Sequence, residues 1–190
     1  MSAHVQPQVS PEEYLAIERE AAFRSEYYDG VMYAMSGGSY SHGKISTSLA
    51  GELRQALKGK PCAVVSSDLR VQISPRAYTY PDVVVVCGDP KFLDNRTDTL
   101  LNPTLLIEVL SPSTEGHDRK FKSKYYRQIE SLQEYALVWQ TEPHVEIYRR
   151  LPDGDWLLHE PSGIDASCRF ESIACDLPLS EIYYQVTFEE

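Results

Sequence analysis

The chain has 190 residues, enough for one domain with a substantial hydrophobic core, and its 42% hydrophobic and 24% charged content is ordinary for a soluble globular protein. A formal net charge of −10 argues against a generic nucleic-acid-binding surface, because a phosphate backbone seeks positive surface, so any such contact must come from a local basic patch. No apolar run approaches the roughly 18 residues of a membrane span, and Met1-Ser2-Ala3-His4 lacks the basic region and apolar core of a signal peptide.

Residues 1–9 read as a disordered arm, which leaves 10–190 as a single domain. Ser10-Pro11-Glu12-Glu13 is a helix start: the serine caps, the proline takes the first turn, and Glu13 closes a capping box. That helix is expected to end near residue 22. Asp29-Gly30 is a hairpin turn that pairs 26–28 with 31–34. After the loop Gly37-Gly38-Ser39, a second helix is predicted from about His42 to Leu57, with Ile45, Leu49, Leu53 and Leu57 in one stripe. Lys58-Gly59-Lys60-Pro61 ends it.

Strands follow. Residues 63–73 alternate in their second half, with Leu69, Val71 and Ile73 on one side. The Val-rich run 80–87 and the run 104–110 are continuous, the pattern of strands buried on both faces. Between them, 88–102 reads as a polar loop with room for a helical turn. Residues 118–131 are predicted as a helix with Phe121, Tyr125, Gln128 and Leu132 toward the core, flanked by Lys122, Tyr126 and Ile129. Strands at 134–139 and 144–149, a turn at Asp153-Gly154 and a strand at 156–159 come next. The tail from 161 reads as irregular up to a short helix at 177–182. The order predicts an α/β (α+β) fold with a mixed sheet. Cys62, Cys87, Cys168 and Cys175 have no C-x-x-C spacing, so a structural zinc site is not expected. Cys62 and Cys87 read as buried thiols, in keeping with a cytoplasmic location.

Two acids interrupt the most apolar strands: Asp82 in Tyr80-Pro81-Asp82-Val83-Val84, and Glu108 in Leu106-Ile107-Glu108-Val109-Leu110. A charge there costs free energy unless a metal or a cation compensates it. If the two strands pair antiparallel about a loop centred near Asn95, Asp82 lies opposite Glu108, with Cα atoms roughly 4.5–5.5 Å apart and both side chains on one face. Such a pair suits magnesium, which takes one or two carboxylates, keeps waters and completes its shell with substrate phosphate. The competing reading gives each acid an arginine partner or a turn to cap.

Lys122 is the lysine best placed to bend its ammonium toward the two acids along an apolar stem, where it would hold water or stabilise transition-state charge, with an exposed helix lysine as the plainer reading and Lys124 as the alternative catalytic lysine. Lys120, Lys124 and Arg127 form an i, i+4, i+7 row that suits a phosphate backbone or, alternatively, a solvated basic face. His42, at the start of the second helix, is a candidate phosphate contact or proton shuttle, with capping or packing as the plainer role. Asp68 and Arg70 share one side of a strand and read as ion-pairing residues. No nucleophile elbow surrounds Ser111-Pro112-Ser113-Thr114, and Ser36-Gly37-Gly38-Ser39 lacks the rest of a P-loop.

Pro81-Asp82, the string Leu106-Ile107-Glu108-Val109-Leu110-Ser111-Pro112-Ser113-Thr114, and then Asp118, Lys122, Tyr126 and Glu134-Tyr135 resemble the Uma-type putative restriction endonuclease family. That family, long catalogued as a domain of unknown function, is placed in the PD-(D/E)XK nuclease superfamily. The similarity extends to Glu26-Tyr27-Tyr28-Asp29-Gly30, His42 and Ser67-Asp68-Leu69-Arg70-Val71, and so covers about residues 11 to 185. It implies a restriction-endonuclease-like core with a central mixed β-sheet flanked by helices. It implies Asp82 and Glu108 as ligands of magnesium, with manganese as the alternative ion, Glu26 as an additional catalytic acid, and Lys122 as the catalytic lysine. The function it implies is magnesium-dependent endonucleolytic hydrolysis of DNA. A homodimer follows as an expectation, because cutting both strands calls for two sites. The superfamily pattern sets lysine two residues after the second acid, and that position is Leu110 here. Either the lysine is displaced to the following helix, or the chain keeps the fold as a non-catalytic binding or regulatory protein.

Overall fold

The structure is a computed structural model that describes residues 8–35, 37–111 and 122–188. Helix α1 (Pro11–Glu20) starts as the sequence expects: the Ser10 hydroxyl accepts the Glu13 amide, and the Glu13 carboxylate accepts the Ser10 amide at 2.8 Å. Strands β1 (Ser25–Tyr28) and β2 (Val31–Ala34) form the expected hairpin. Asp29 and Gly30 both take positive φ, 47° and 100°, as the tight primed turn requires. Helix α2 (Tyr40–Ala56) is capped by Ser39 and buries Ile45, Leu49 and Leu53.

Next come β3 (Cys62–Ser66), β4 (Arg70–Ser74), β5 (Ala77–Thr79), β6 (Val83–Cys87), β7 (Thr99–Leu100) and β8 (Leu105–Leu110). The short helix α3 (Ser123–Tyr126), β9 (Glu134–Trp139), β10 (Val145–Arg150), β11 (Trp156–His159), β12 (Ser167–Phe170), β13 (Cys175–Pro178) and helix α4 (Leu179–Ile182) complete the described chain. A six-stranded mixed sheet has the order β11-β10-β9-β8-β6-β3, with β8 and β9 parallel and its other pairs antiparallel. A five-stranded sheet has the order β2-β1-β5-β4-β7, and β12-β13 form a separate hairpin.

These elements stack in layers. One face of the six-stranded sheet, carrying Val83, Val85, Leu105, Ile107, Ala136 and Val138, packs on α2, α4 and the β12-β13 hairpin. The other face, carrying Val84, Val86, Leu106 and Tyr135, packs on Tyr28, Val71 and Ala77 of the second sheet and on Tyr126 of α3. Covered on both sides, β6 and β8 have no polar alternation. Helix α1 covers the outer face of the five-stranded sheet through Tyr14, Leu15, Tyr27 and Tyr78.

Several expectations need correction. The run 63–73 is two strands in different sheets, broken at Ser67-Asp68-Leu69. The run 80–87 enters its strand only at Val83, because Pro81 has no amide to give to a ladder. Of the helix expected at 118–131, the described α-helical part is Ser123–Tyr126, and the face buried there carries Lys122, Tyr126, Ile129 and Leu132 while Gln128 is exposed. The tail is not irregular, since β12 and β13 bury alternate residues on the core. Cys62 and Cys87 are not thiols: they face each other in the β3–β6 register, Cα atoms 4.0 Å apart, and form a disulfide. Among the described residues, no helix is long and apolar enough to cross a membrane.

Candidate active site

The layer between the two sheets is apolar except at one end. There β1 contributes Glu26, β8 contributes Glu108, and the start of α3 contributes Lys122, all three buried. Glu108 points into this layer because its neighbours Ile107 and Val109 face α2. Glu26 does so from the opposite sheet, on the same side of β1 as Tyr28. Lys122 bridges the two sheets: its Nζ lies 3.0 Å from Glu26 Oε1 and 3.2 Å from Glu108 Oε1. Hydroxyls fill out the cluster. Tyr126 donates to Glu108 Oε1, Thr79 donates to Glu26 Oε1, and Tyr28 donates to Glu26 Oε2 at 3.3 Å.

Burial disfavours each of these charges, so their mutual attraction decides their state. For Lys122, burial works against the ammonium, yet Glu108 and Glu26 outweigh it and hold the pKa well above the ordinary lysine value. For Glu26, burial pushes the pKa up, and Lys122 together with the hydroxyls of Thr79 and Tyr28 brings it below the ordinary value. Burial and the Glu108 charge push the Tyr126 phenol well up, so it stays a neutral donor. The sequence groups Asp82, Glu108 and Lys122, and the family resemblance adds Glu26; the structure joins Glu26, Glu108 and Lys122 and sets Asp82 beside them. Tyr126 and Tyr28 enter the sequence reading only as matching residues of the family, and neither they nor Thr79 are read there as donors. Their spacing is the available signal: Tyr126 is one helical turn after Lys122, Tyr28 is two strand positions after Glu26, and the β1–β5 register sets Thr79 opposite Glu26.

Asp82 stands beside this cluster. The β6–β8 register pairs Val83 with Ile107, and one further step sets Asp82 opposite Glu108. The ladder stops before that step. Asp82 takes over its hydrogen bonding: Oδ2 accepts the Val109 amide at 2.8 Å, on the residue next to Glu108. The same oxygen lies 3.3 Å from Nε2 of His42, at the first turn of α2. The side chain is 15% exposed and lines an opening between α2 and β3. Thus the two acids adjoin along β8 but turn to different companions, Asp82 to His42 and Glu108 to Lys122.

The donor chemistry fits magnesium. The two carboxylates are hard oxygen donors, and Asp82 Oδ1 accepts no hydrogen bond among the described residues. The described groups of three or more ligand side chains close enough to share an ion consist of His144, Glu146 and Glu160, outside this site, so Asp82 and Glu108 would act as a pair. A pair suffices for an ion that keeps several waters.

The other candidate contacts are dispersed. Lys124 is exposed on α3. Arg127 donates to the Tyr135 hydroxyl at 3.2 Å and lies over the Tyr148 ring. Lys120 lies outside the described residues. Asp68 pairs with Arg24 at 2.6 Å rather than with Arg70, which reaches Thr99, Tyr80 and Asp98.

A mixed sheet with acids at the meeting of its central strands and a lysine beside them defines a chain of the restriction-endonuclease-like fold. Residues 11–174 match the Uma2 family, described as putative restriction endonucleases, and this chain belongs to it. It is 40% identical to the uncharacterized protein slr1290 of Synechocystis sp. over 185 residues, which is 96% of this chain and 95% of that one. It is 37% identical to the uncharacterized protein sll1609 of the same organism over 159 residues, 83% and 90% of the two chains. Its fold is similar to that of a crystal structure described as a putative nuclease belonging to DUF820 from Anabaena variabilis. The TM-score is 0.79 at 19% identity, over 94% of this chain and 99% of that one.

Proposed function

We propose that this chain is a magnesium-dependent endonuclease that hydrolyses DNA phosphodiester bonds. The observation that carries this reading is the buried ammonium of Lys122 between Glu26 and Glu108, because it supplies from α3 the amine that Leu110, a buried strand residue, cannot. Asp82 and Glu108 would hold the metal, which would supply charge neutralisation of the phosphate and an activated water. Glu26 is a positioning residue: it fixes the Lys122 ammonium from the opposite sheet. Lys122 keeps its proton at neutral pH and presents a fixed positive charge beside Glu108, where developing negative charge on the scissile phosphate would be stabilised. Tyr126 holds the Glu108 carboxylate in its rotamer, and His42 steadies Asp82 at the solvent side. Lys124 and Arg127 are proposed outer contacts to DNA, and a homodimer would offer two such sites.

The test is cleavage of supercoiled plasmid by purified protein with magnesium. Asp82→Asn and Glu108→Gln conserve shape and should each lower the rate by at least about 100-fold, the scale of losing one main electrostatic element. Equal cleavage by the wild type and both variants would remove this site from the reaction. The opposite result, no cleavage by any form together with metal-independent DNA binding, favours a non-catalytic binding or regulatory protein on the same fold.

A further inference from the structure

The opening at Asp82 is one end of a longer groove. A cavity of about 620 Å³ runs from His42 and Asp82 along α2 past Ser46, Thr47 and Gly51 to Arg54 and Val64. A second, of about 680 Å³, shares Gly51, Arg54 and Val64 and continues to Lys58 and Lys60. One wall is α2. The other is β3, the last strand of the six-stranded sheet, whose second edge carries no strand partner among the described residues. From His42 to Lys58 the run is about 24 Å at 1.5 Å per residue.

In a chain of net charge −10, this groove has the opposite sign. Arg54, Lys58 and Lys60 line it against the acid Asp82 at its end. Lys60 is tied to the carbonyls of Ile173 and Ala174 at 3.0 and 2.8 Å, but Arg54 and Lys58 form no ion pair among the described residues. The helix wall is also bare. Gly43 and Gly51 lie inside α2, where each glycine costs about 1 kcal/mol relative to alanine. Among the described residues nothing within 4 Å would meet a Cβ at either position, so their packing does not require glycine there. A positive groove with a bare helical wall, ending at a candidate metal-binding acid, complements a polyanion that comes close to the helix backbone.

We infer that the α2–β3 groove seats the backbone of one DNA strand and leads it to Asp82. This rests on the nuclease reading for its occupant and gives the substrate a main path on the far side of the six-stranded sheet from Lys124 and Arg127, in place of the outer contacts proposed for those two residues. Arg54 and Lys58 contact phosphates, Gly43 and Gly51 admit the strand, and His42 meets it beside Asp82.

Binding is measured with calcium in place of magnesium, using a fluorescein-labelled oligonucleotide about 20 nucleotides long, single-stranded and as duplex, over a salt series. Gly51→Glu places an acid in the groove at a position where a Cβ meets nothing within 4 Å and should weaken binding of the preferred form at least about 10-fold, whereas Gly51→Lys should tighten it. The pair Arg54→Ala and Lys58→Ala should reduce the slope of log K against log salt by roughly 0.7–0.9 per residue removed. Thermal unfolding of the Gly51 variants, at or above wild type, confirms that the fold is kept. The proposal is overturned if both Gly51 variants bind as wild type, if the wild type binds neither form, or if Lys124→Ala with Arg127→Ala abolishes binding while the groove variants do not. Groove-dependent binding without cleavage under magnesium would keep the groove and remove the nuclease reading. Cleavage indifferent to Gly51→Glu would do the reverse.

Discussion

Lys122 is the residue on which the interior of the site turns. An ammonium taken out of water is tolerated only because two carboxylates lie within 3.2 Å of it, so removing its charge leaves Glu26 and Glu108 buried with their compensation lost. The pKa shifts set the pH range over which the cluster stabilises the fold. Glu26 is depressed below the ordinary 4.5, so its contribution is complete above that pH and fades as acid titrates it through its folded-state value. Lys122 is raised above 10.5, so its contribution is complete below that pH and fades only as alkali passes its folded-state value. Urea unfolding of wild type and Glu26→Gln should therefore differ by a constant amount between about pH 5 and pH 10, and the difference should shrink toward acid. A gap that persists unchanged at pH 2 would mean that the Glu26–Lys122 pair is not what the substitution removes. The sequence marks Asp82, Glu108 and Lys122 because charged residues stand beside aliphatic and aromatic neighbours, while Glu26 enters only through the family resemblance. The sequence is silent on their hydroxyl partners, since tyrosines and threonines are equally at home in core and strand. It sets Asp82 opposite Glu108, as the β6–β8 register does, but does not show its hydrogen bond to the Val109 amide or its contact with His42.

At the scale of elements, the legible parts are those with a local signal: the capping box of α1, the Asp-Gly turn, the stripe of α2 and the Val-rich β6. Strands β5 and β7 are three and two residues long, too short for a period to show. Strands β12 and β13 do alternate, but over only four residues each. The split of 63–73 between two sheets is a tertiary choice that no local pattern records. The β3–β6 disulfide belongs here too. Cysteine spacing cannot reveal a cross-strand pair, since the register that joins Cys62 to Cys87 is set by the whole ladder. The bond closes a loop of 25 residues, for which chain entropy alone sets a stabilisation of about 3.5 kcal/mol. Unfolded but unreduced protein should expose two reactive thiols, Cys168 and Cys175, out of the four cysteines. Dithiothreitol should raise that number to four and lower stability by up to the figure above. Four thiols without reductant would show that the two strands pair without the bond.

The whole molecule extends past its family match. The match ends at residue 174, yet the core does not. Leu177 of β13, Leu179 and Ile182 of α4, and Tyr183 are buried against α2 and the six-stranded sheet. The Tyr183 hydroxyl donates to the carbonyl of Trp139 at 2.8 Å and accepts the amide of His144 at 3.2 Å, which clamps the turn between β9 and β10. At roughly 1.5–3 kcal/mol for each buried side chain, these four contribute about 6–12 kcal/mol, comparable to the 5–15 kcal/mol by which a domain is stable at all. Helix α2 is the element they cover, and it is also a wall of the groove that ends at Asp82. A chain stopped after residue 174 should therefore lose fixed packing throughout: near-ultraviolet circular dichroism should collapse, with much of the far-ultraviolet signal kept. If the shortened chain instead unfolds in one sharp transition with an unchanged near-ultraviolet spectrum, then β13 and α4 are an appendage, and the layer beneath α2 holds without them.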